Sequence, residues 1–365
     1  MKKILKFLKR DILLTIAATL SVISAFIVPP DKEYISYINL PVLVLLYCLM
    51  VVVAGFDAGG VFELLKQKLQ GRIKNEKILM FSLCTVCFLA SALITNDVAL
   101  ITFVPFSIAM MKKQKPSSVI FLVVMETIAA NLGSLITPIG NPQNLYLYTN
   151  YGMNIGEFFE ITLPLGLICA VMIGVALMLR KNAPLDYENN CKEIKIFKRD
   201  VIVFSALFVL CILSVLDIIS CYITLAVVIL VTLSVNRKLI LKADFILLVT
   251  FVFFFIFAGN IARIPAVYDF IKSTLIANEV AVSALISQFV SNVPAAAMLS
   301  AFTDNAKALV LGTNIGGLGT LIASMASLIS YRFIAKEERI NKGKYILVFT
   351  TYNVLMLIIL LLLFA

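Results

Sequence analysis

Predominantly apolar runs of 16 to 20 residues recur from one end of this 365-residue chain to the other, at 40–55, 163–179, 201–216 and 345–364 among others. As α-helix, rising about 1.5 Å per residue, each spans most or all of a hydrocarbon core about 30 Å thick. Hydrophobic residues make up 61% of the chain and charged ones only 14%, against roughly 45–50% and 25% in soluble domains. No polar stretch is long enough to fold as a soluble domain. The fold class is therefore an all-α polytopic membrane protein, with residues 1–365 forming a single transmembrane domain.

The net charge of +10 would suit a polyanion partner, but its placement argues otherwise. Of 31 Lys and Arg, 27 fall in six segments: 1–10, 56–77, 112–116, 180–199, 236–242 and 332–344. Only Lys32, Arg263, Lys272 and Lys307 lie elsewhere. This asymmetry is the positive-inside pattern. It places the N-terminus in the cytoplasm and the C-terminus outside, in the cell (inner) membrane, and excludes a nucleic-acid partner. The basic 1–10 stretch and the apolar run after it resemble a signal peptide, yet the run leads into Pro29-Pro30-Asp31-Lys32 with no small-residue cleavage site. It reads as a first membrane helix at about 11–28.

Further crossings are expected at about 36–55, 162–180, 200–217, 219–235, 244–260 and 344–364. The stretch 57–77 reads as an amphipathic helix lying on the cytoplasmic face, and 261–277 reads as an amphipathic linker. Between them fall segments that an ordinary membrane helix does not explain. Residues 78–111 are apolar except for Thr95-Asn96-Asp97 and have basic residues at both flanks. Two crossings need about 40 residues, so a re-entrant hairpin with a polar tip fits better. A second hairpin, 278–303, is tipped by Ser291-Asn292-Val293-Pro294. Each hairpin is followed by a helix interrupted by Gly, Pro and amides, at 131–144 and at 312–320. Non-helical backbone at membrane depth occurs only where it is buried in protein or lines a wet cavity. The expectation is about nine full crossings plus two hairpins.

The interrupted segments match one another. Ala54-Gly55 matches Ala258-Gly259, and Ser91, Thr95 and Asn96 match Ser287, Ser291 and Asn292. Asn131, Gly133 and Thr137 match Asn314, Gly316 and Thr320 at equal offsets. Repeat 1 covers about 11–181, a loop and crossing cover about 182–217, and repeat 2 covers about 219–365. The single crossing inverts the second repeat. Paired broken segments in inverted halves mark the midplane site of a transporter. Helix breaks offer N–H groups and partial positive charge to an anion, and carbonyl, Asn and Thr oxygens to Na⁺, here in the Asn96 and Asn292 regions.

Two intramembrane acids are candidates for proton coupling, Asp97 at the first tip and Glu126 five residues before Asn131. An acid within the membrane costs about 2.5–3.5 kcal/mol to insert, which makes it a functional candidate by default. The plainer alternatives are a hairpin cap for Asp97 and a packing acid bonded to a polar neighbour for Glu126. Asp97 is matched by Val293, so any coupling role is asymmetric. Seven cysteines include Cys84-x-x-Cys87, a thiolate pair or, more plainly, two small core fillers. Histidine is absent, and no metal cluster or nucleophile–base pair suggests an enzyme.

The segments TNDVALITFVP (95–105), NLGSLITPIGNPQN (131–144), SNVP (291–294) and GTNIGGLGT (312–320) resemble the ion-transporter superfamily of arsenite permeases, citrate and dicarboxylate carriers and some sodium/proton antiporters. Within it the chain is most similar to short YbiR-type inner-membrane permeases with a citrate-transporter-like domain. The resemblance implies that Thr95, Asn96, Asn131, Thr137, Pro138, Asn292, Asn314 and Thr320 line substrate and ion sites. It also implies elevator-type alternating access and a homodimer. With Asp97, Gly133, Ser134, Asn141, Ser291 and Gly316 these complete the candidate site. Dicarboxylate carriers have Ser-Asn-Thr-type tips, whereas Asp97 and Val293 follow the tip asparagines here, which leans toward the arsenite-permease side. The function expected is secondary active transport of a small anionic solute, carboxylate or oxyanion, driven by H⁺ or Na⁺ with no other cofactor. The alternatives are an arsenite-type oxyanion exporter and an Na⁺/H⁺ antiporter. Inverted broken repeats suit alternating access better than a passive channel.

Overall fold

A computed structural model describes residues 12–69, 73, 75–185 and 197–365. The basic 1–10 stretch, Cys191 and much of the 180–199 loop lie outside the described residues. Those described are almost entirely helical, with no strand among them. The first half contains α1 (Ile12–Ile27), α2 (Glu33–Tyr37), α3 (Leu40–Ala58), α4 (Val61–Leu69), α5 (Glu76–Ile94), α6 (Asn96–Met110), α7 (Pro116–Ser134), α8 (Pro142–Asn150) and α9 (Ile155–Met178). The second contains α10 (Lys198–Val215), α11 (Cys221–Asn236), α12 (Phe245–Ala262), α13 (Pro265–Ala277), α14 (Glu279–Val290), α15 (Asn292–Leu299), α16 (Ala306–Ile315), α17 (Met325–Ile334) and α18 (Lys342–Phe364).

Seven of the described helices are long and apolar enough to cross a membrane. Of the nine expected crossings, α1, α10 and the interrupted 305–334 segment are not among the seven, whereas α5, expected as a hairpin arm, is. The described α1 has only 16 residues, and α10 opens on Lys198-Arg199-Asp200. Helix starts follow local chemistry. Asn75, Asn141, Asn154, Asn305 and Asn341 each accept a backbone N–H of the turn that follows.

The outer surface is apolar, as a lipid-facing surface must be. Along α9, Leu167, Val171, Val175 and Met178 are exposed as one stripe. α7 is the opposite case: from Ser118 to Ser134 every residue is buried. A helix enclosed on every side in this way is a central column, and its few polar residues, among them Glu126, Thr127 and Asn131, are buried with it. It packs against α5, α6, α9, α17 and α18. Since lipid is as apolar as leucine, close backbone approach holds such a column in place rather than water exclusion.

Two glycines make that approach. A Cβ on Gly133 would lie 2.1 Å from the Phe88 carbonyl oxygen of α5, and one on Gly316 would lie 2.7 Å from Ser287 Cβ of α14. Gly133→Ala is therefore expected to force α7 off α5, costing about 1–3 kcal/mol and lowering the unfolding midpoint in detergent. Gly174→Ala, where nothing lies within 4 Å of the added carbon, should leave the midpoint unchanged.

The breaks begin later than the sequence suggested. Asn131, Leu132 and Gly133 remain helical in α7, and Gly312, Thr313 and Asn314 remain helical in α16. The unwound segments are 135–141 and 316–324. Asn and Gly here do not break the helix; they face partners that need a small or amide-bearing surface. The second hairpin is short, 12 residues in α14 and 8 in α15, about 18 Å and 12 Å, too short for either arm to cross. In the first, α5 has 19 residues, about 28 Å, so its first arm is nearly a full crossing in length.

Candidate functional site

Both hairpins turn on a single residue with left-handed φ. Thr95 has φ 76° and ψ 150°, and Ser291 has φ 75° and ψ 152°. A positive φ is uncommon at any residue but glycine and rarer still at a β-branched one such as Thr95, and it persists only when surrounding structure enforces it. Here the next residue is tethered. Asn96 N–H donates to the Gly140 carbonyl at 3.1 Å, and Asn292 N–H to the Ala323 carbonyl at 2.9 Å. Gly140 stands nine residues beyond Asn131, and Ala323 nine beyond Asn314. The hydroxyls of Thr137 and Thr320 repeat the pattern, donating to the carbonyls of Ala92 and Gln288. Each tip is thus pinned to its own break at matched positions.

The breaks are in turn pinned to each other. Asn131 Oδ1 accepts from Ser324 Oγ at 3.0 Å, and its Nδ2 donates to Ser327 Oγ at 3.3 Å. In the other half Asn314 Oδ1 accepts from Asn141 Nδ2 at 3.1 Å, and its Nδ2 donates to Asn144 Oδ1 at 2.6 Å. Asn141 and Asn144 lie ten and thirteen residues beyond Asn131; Ser324 and Ser327 lie ten and thirteen beyond Asn314. Each asparagine therefore bonds the two positions in the opposite half that match its own downstream neighbours. Asn96 Nδ2 joins this network by donating to Asn131 Oδ1 at 3.2 Å.

Between the tips lies a cavity of about 230 Å³ counted with its open side. Asn96, Asp97, Pro142 and Gln143 line it from the first half; Asn292, Val293, Ser324 and Met325 line it from the second, and Leu247 of α12 closes it. These residues stand at the N-terminal ends of α6, α8, α15 and α17. Four helix N-termini converge on one small space. A roomier pocket beside Tyr268, Lys272, Glu279 and Asp304 draws on no matched pair from the two halves.

Of the residues proposed from sequence, Asn96, Asp97 and Asn292 line the cavity. Asn131, Asn141 and Asn314 form the brace beneath it, and Ser134 accepts from Asn141 Nδ2 at 3.1 Å. Gly133 and Gly316 serve packing, Thr137 and Thr320 face the hairpins, and Pro138 is buried within the first unwound turn. Ser291 donates to the Ala323 carbonyl at 3.4 Å. The Asp97 carboxylate, half-buried, has no hydrogen-bond or ion-pair partner among the described residues. Glu126 is fully buried away from the cavity. It accepts from Ser107, and its Oε2 has no partner among the described residues. Cys84 and Cys87 are both buried, and no group of three metal-ligating side chains occurs among the described residues. Sequence reading missed Asn144, Ser324, Ser327, Gln143 and Gln288. Carrying the repeat offsets past Thr320 would have found the two serines.

Comparison with known proteins places the chain among membrane transporters. Residues 2–308 match a family model described as citrate transporter. The chain is 32% identical over 290 residues to the uncharacterized transporter MJ0456 of Methanocaldococcus jannaschii, covering 79% of each. It is 28% identical over 321 residues to the inner membrane protein YbiR of Escherichia coli, covering 87% of this chain and 86% of that one. A shorter match, 34% over 151 residues, covers 41% of this chain and 30% of the silicon efflux transporter LSI3 of Oryza sativa.

Proposed function

The chain belongs to the citrate transporter family, and from that premise we propose that it is a secondary active transporter. Its solute is a small anion, a carboxylate or an oxyanion, carried across the inner membrane with H⁺ or Na⁺. The observation that carries this reading is the meeting of four helix N-termini at the cavity between Asn96 and Asn292. Each N-terminus carries roughly half a positive charge on N–H groups without an intrahelical partner. An anion is the ligand that such a space favours. The enclosed part of this space is only about 10 Å³, room for about one water, so the tips must part to admit a solute, and a small solute requires the least movement.

Asp97 supplies the coupling. A bound anion and an ionised Asp97 about 5 Å apart would repel by roughly 3 kcal/mol at an effective dielectric near 20. A proton or Na⁺ taken up at Asp97 removes that repulsion, so solute and coupling ion bind together. Elevator-type movement of the braced hairpins and breaks, in a homodimer with the N-terminus cytoplasmic and the C-terminus outside, completes the reading. The kinship to a protein named for silicon efflux, together with the small cavity, favours one second reading, export of an uncharged or anionic oxyacid.

The test is counterflow uptake by the purified protein in proteoliposomes, against labelled carboxylates and oxyanions. One anion class should be exchanged saturably, and Asn96→Ala and Asn292→Ala should each lower that exchange about tenfold, the effect of about 1.4 kcal/mol. Full activity in both variants would exclude the two-tip site. Exchange of silicic acid but of no carboxylate would select the second reading.

A further inference from the structure

Gln288 lies on α14 one turn before the Ser291 tip, and its side chain enters the unwound turn 316–324 rather than the cavity. Its Nε2 is 3.0 Å from the Ala284 carbonyl, 2.9 Å from that of Gly316 and 2.9 Å from that of Leu318. Its Oε1 accepts from the Thr320 N–H at 2.9 Å, which fixes the nitrogen end of the amide toward the carbonyls. An amide nitrogen has two hydrogens, so three carbonyl oxygens converge on a donor that satisfies two of them at a time. Ala284 is a helical residue of α14, whereas Gly316 and Leu318 belong to the unwound turn, and unwound carbonyls gathered beside a helix in this way are ligands that alkali cations take at broken membrane helices. The turn is shaped to admit the side chain. Gly319 has φ 102°, and a Cβ there would fall 2.1 Å from Gln288 Oε1.

The first half has the same backbone arrangement without this filler. The Thr137 hydroxyl donates to the Ala92 carbonyl as the Thr320 hydroxyl donates to the Gln288 carbonyl. Ala92, four residues before Asn96 as Gln288 is four before Asn292, offers only a methyl group. The carbonyl of Leu135, which matches Leu318, is reached from the opposite side by Asn144 Nδ2 at 3.1 Å. The residue matching Asn144 is Ser327, too short to reach in the same way. The second break therefore takes its amide from the hairpin.

We propose that the carbonyl cage of Ala284, Gly316 and Leu318 is a monovalent-cation site that Gln288 occupies permanently with its own amide. The second half then keeps its break closed without a free ion. If sodium is the coupling ion of the transport reading above, it binds at the first half or at the tips and not in this cage.

The proposal is tested by thermal unfolding of the purified full chain in detergent, with about 100 mM sodium chloride compared with choline chloride. Gln288→Ala should unfold below the wild type in choline. On exchange to sodium its midpoint should rise by roughly 1–3 °C more than that of the wild type, as linkage to a newly opened site requires. Gln288→Lys brings three hydrogens to three carbonyls. It should unfold above Gln288→Met in choline and show no sodium gain beyond the wild type. A sodium gain in Gln288→Ala no larger than in the wild type would overturn the proposal. So would a Lys variant that unfolds at or below the Met variant, a comparison that holds even where Gln288→Ala does not fold. No solute enters these measurements, so their failure leaves the transport reading intact, and loss of the two-tip site leaves the cage intact.

Discussion

Asn131→Ala and Asn314→Ala are each expected to abolish transport and to lower stability by about 2–3 kcal/mol. Asn131 engages Asn96, Ser324 and Ser327 at once, and truncation strands three buried polar partners. A stranded buried group costs about 1–3 kcal/mol, yet interhelical hydrogen bonds in membranes average only about 0.6 kcal/mol because lost partners are often replaced. The serine hydroxyls can turn to a nearby carbonyl. The Asn96 amide, held beside a strained tip, has fewer choices, and this sets the total above the membrane average. The matched substitution in the other half should cost a similar amount, since Asn314 also bonds two opposite-half side chains. A double-mutant cycle of Asn131→Ala with Ser324→Ala should give a coupling near 1 kcal/mol. Zero coupling, measured by unfolding in detergent, would mean that the two breaks are not braced to each other.

Asp97→Asn should separate accumulation from exchange. The amide keeps the size of the side chain and its place at the head of α6, so solute exchange between equal pools should continue. It takes up neither a proton nor a compensating cation, so uptake driven by an imposed pH or sodium gradient should fall about tenfold or more, a loss of at least about 1.4 kcal/mol of coupling. Val293 at the matched position offers no substitute. The measurement is gradient-driven accumulation set beside counterflow in one proteoliposome preparation. Accumulation at the wild-type level would remove Asp97 from the coupling step.

The membrane class and most helix positions were legible because apolar length and basic flanks act locally: a run of leucine, valine and phenylalanine can be read without knowing its neighbours. The tips were legible too, since a polar tripeptide within an apolar segment has few explanations. The starts of the breaks were not. Asn131 and Asn314 look like helix breakers in sequence, but their amides are satisfied by side chains 170 to 196 residues away along the chain, and the helix continues through them. Gln288 was invisible for the same reason. On α14 alone it is one polar residue among apolar ones, and only the carbonyls of Gly316 and Leu318, 28 and 30 residues away, give it a role. What one segment does for itself was readable. What it does for a distant segment became readable only where the repeat supplied a second copy for comparison.

The reciprocal brace also sets the order of events during biogenesis. Asn131 finds Ser324 and Ser327 nearly two hundred residues later in the chain. At roughly 5–20 residues per second, the first half waits on the order of 10–40 s with Asn131 Nδ2 unmatched and its Oδ1 held by Asn96 alone. During that interval it sits beside the insertion machinery or in lipid, where an unsatisfied polar group is costly. The first half is therefore a natural client for whatever holds incomplete membrane helices at the translocon. The polypeptide becomes self-sufficient only when its last third arrives.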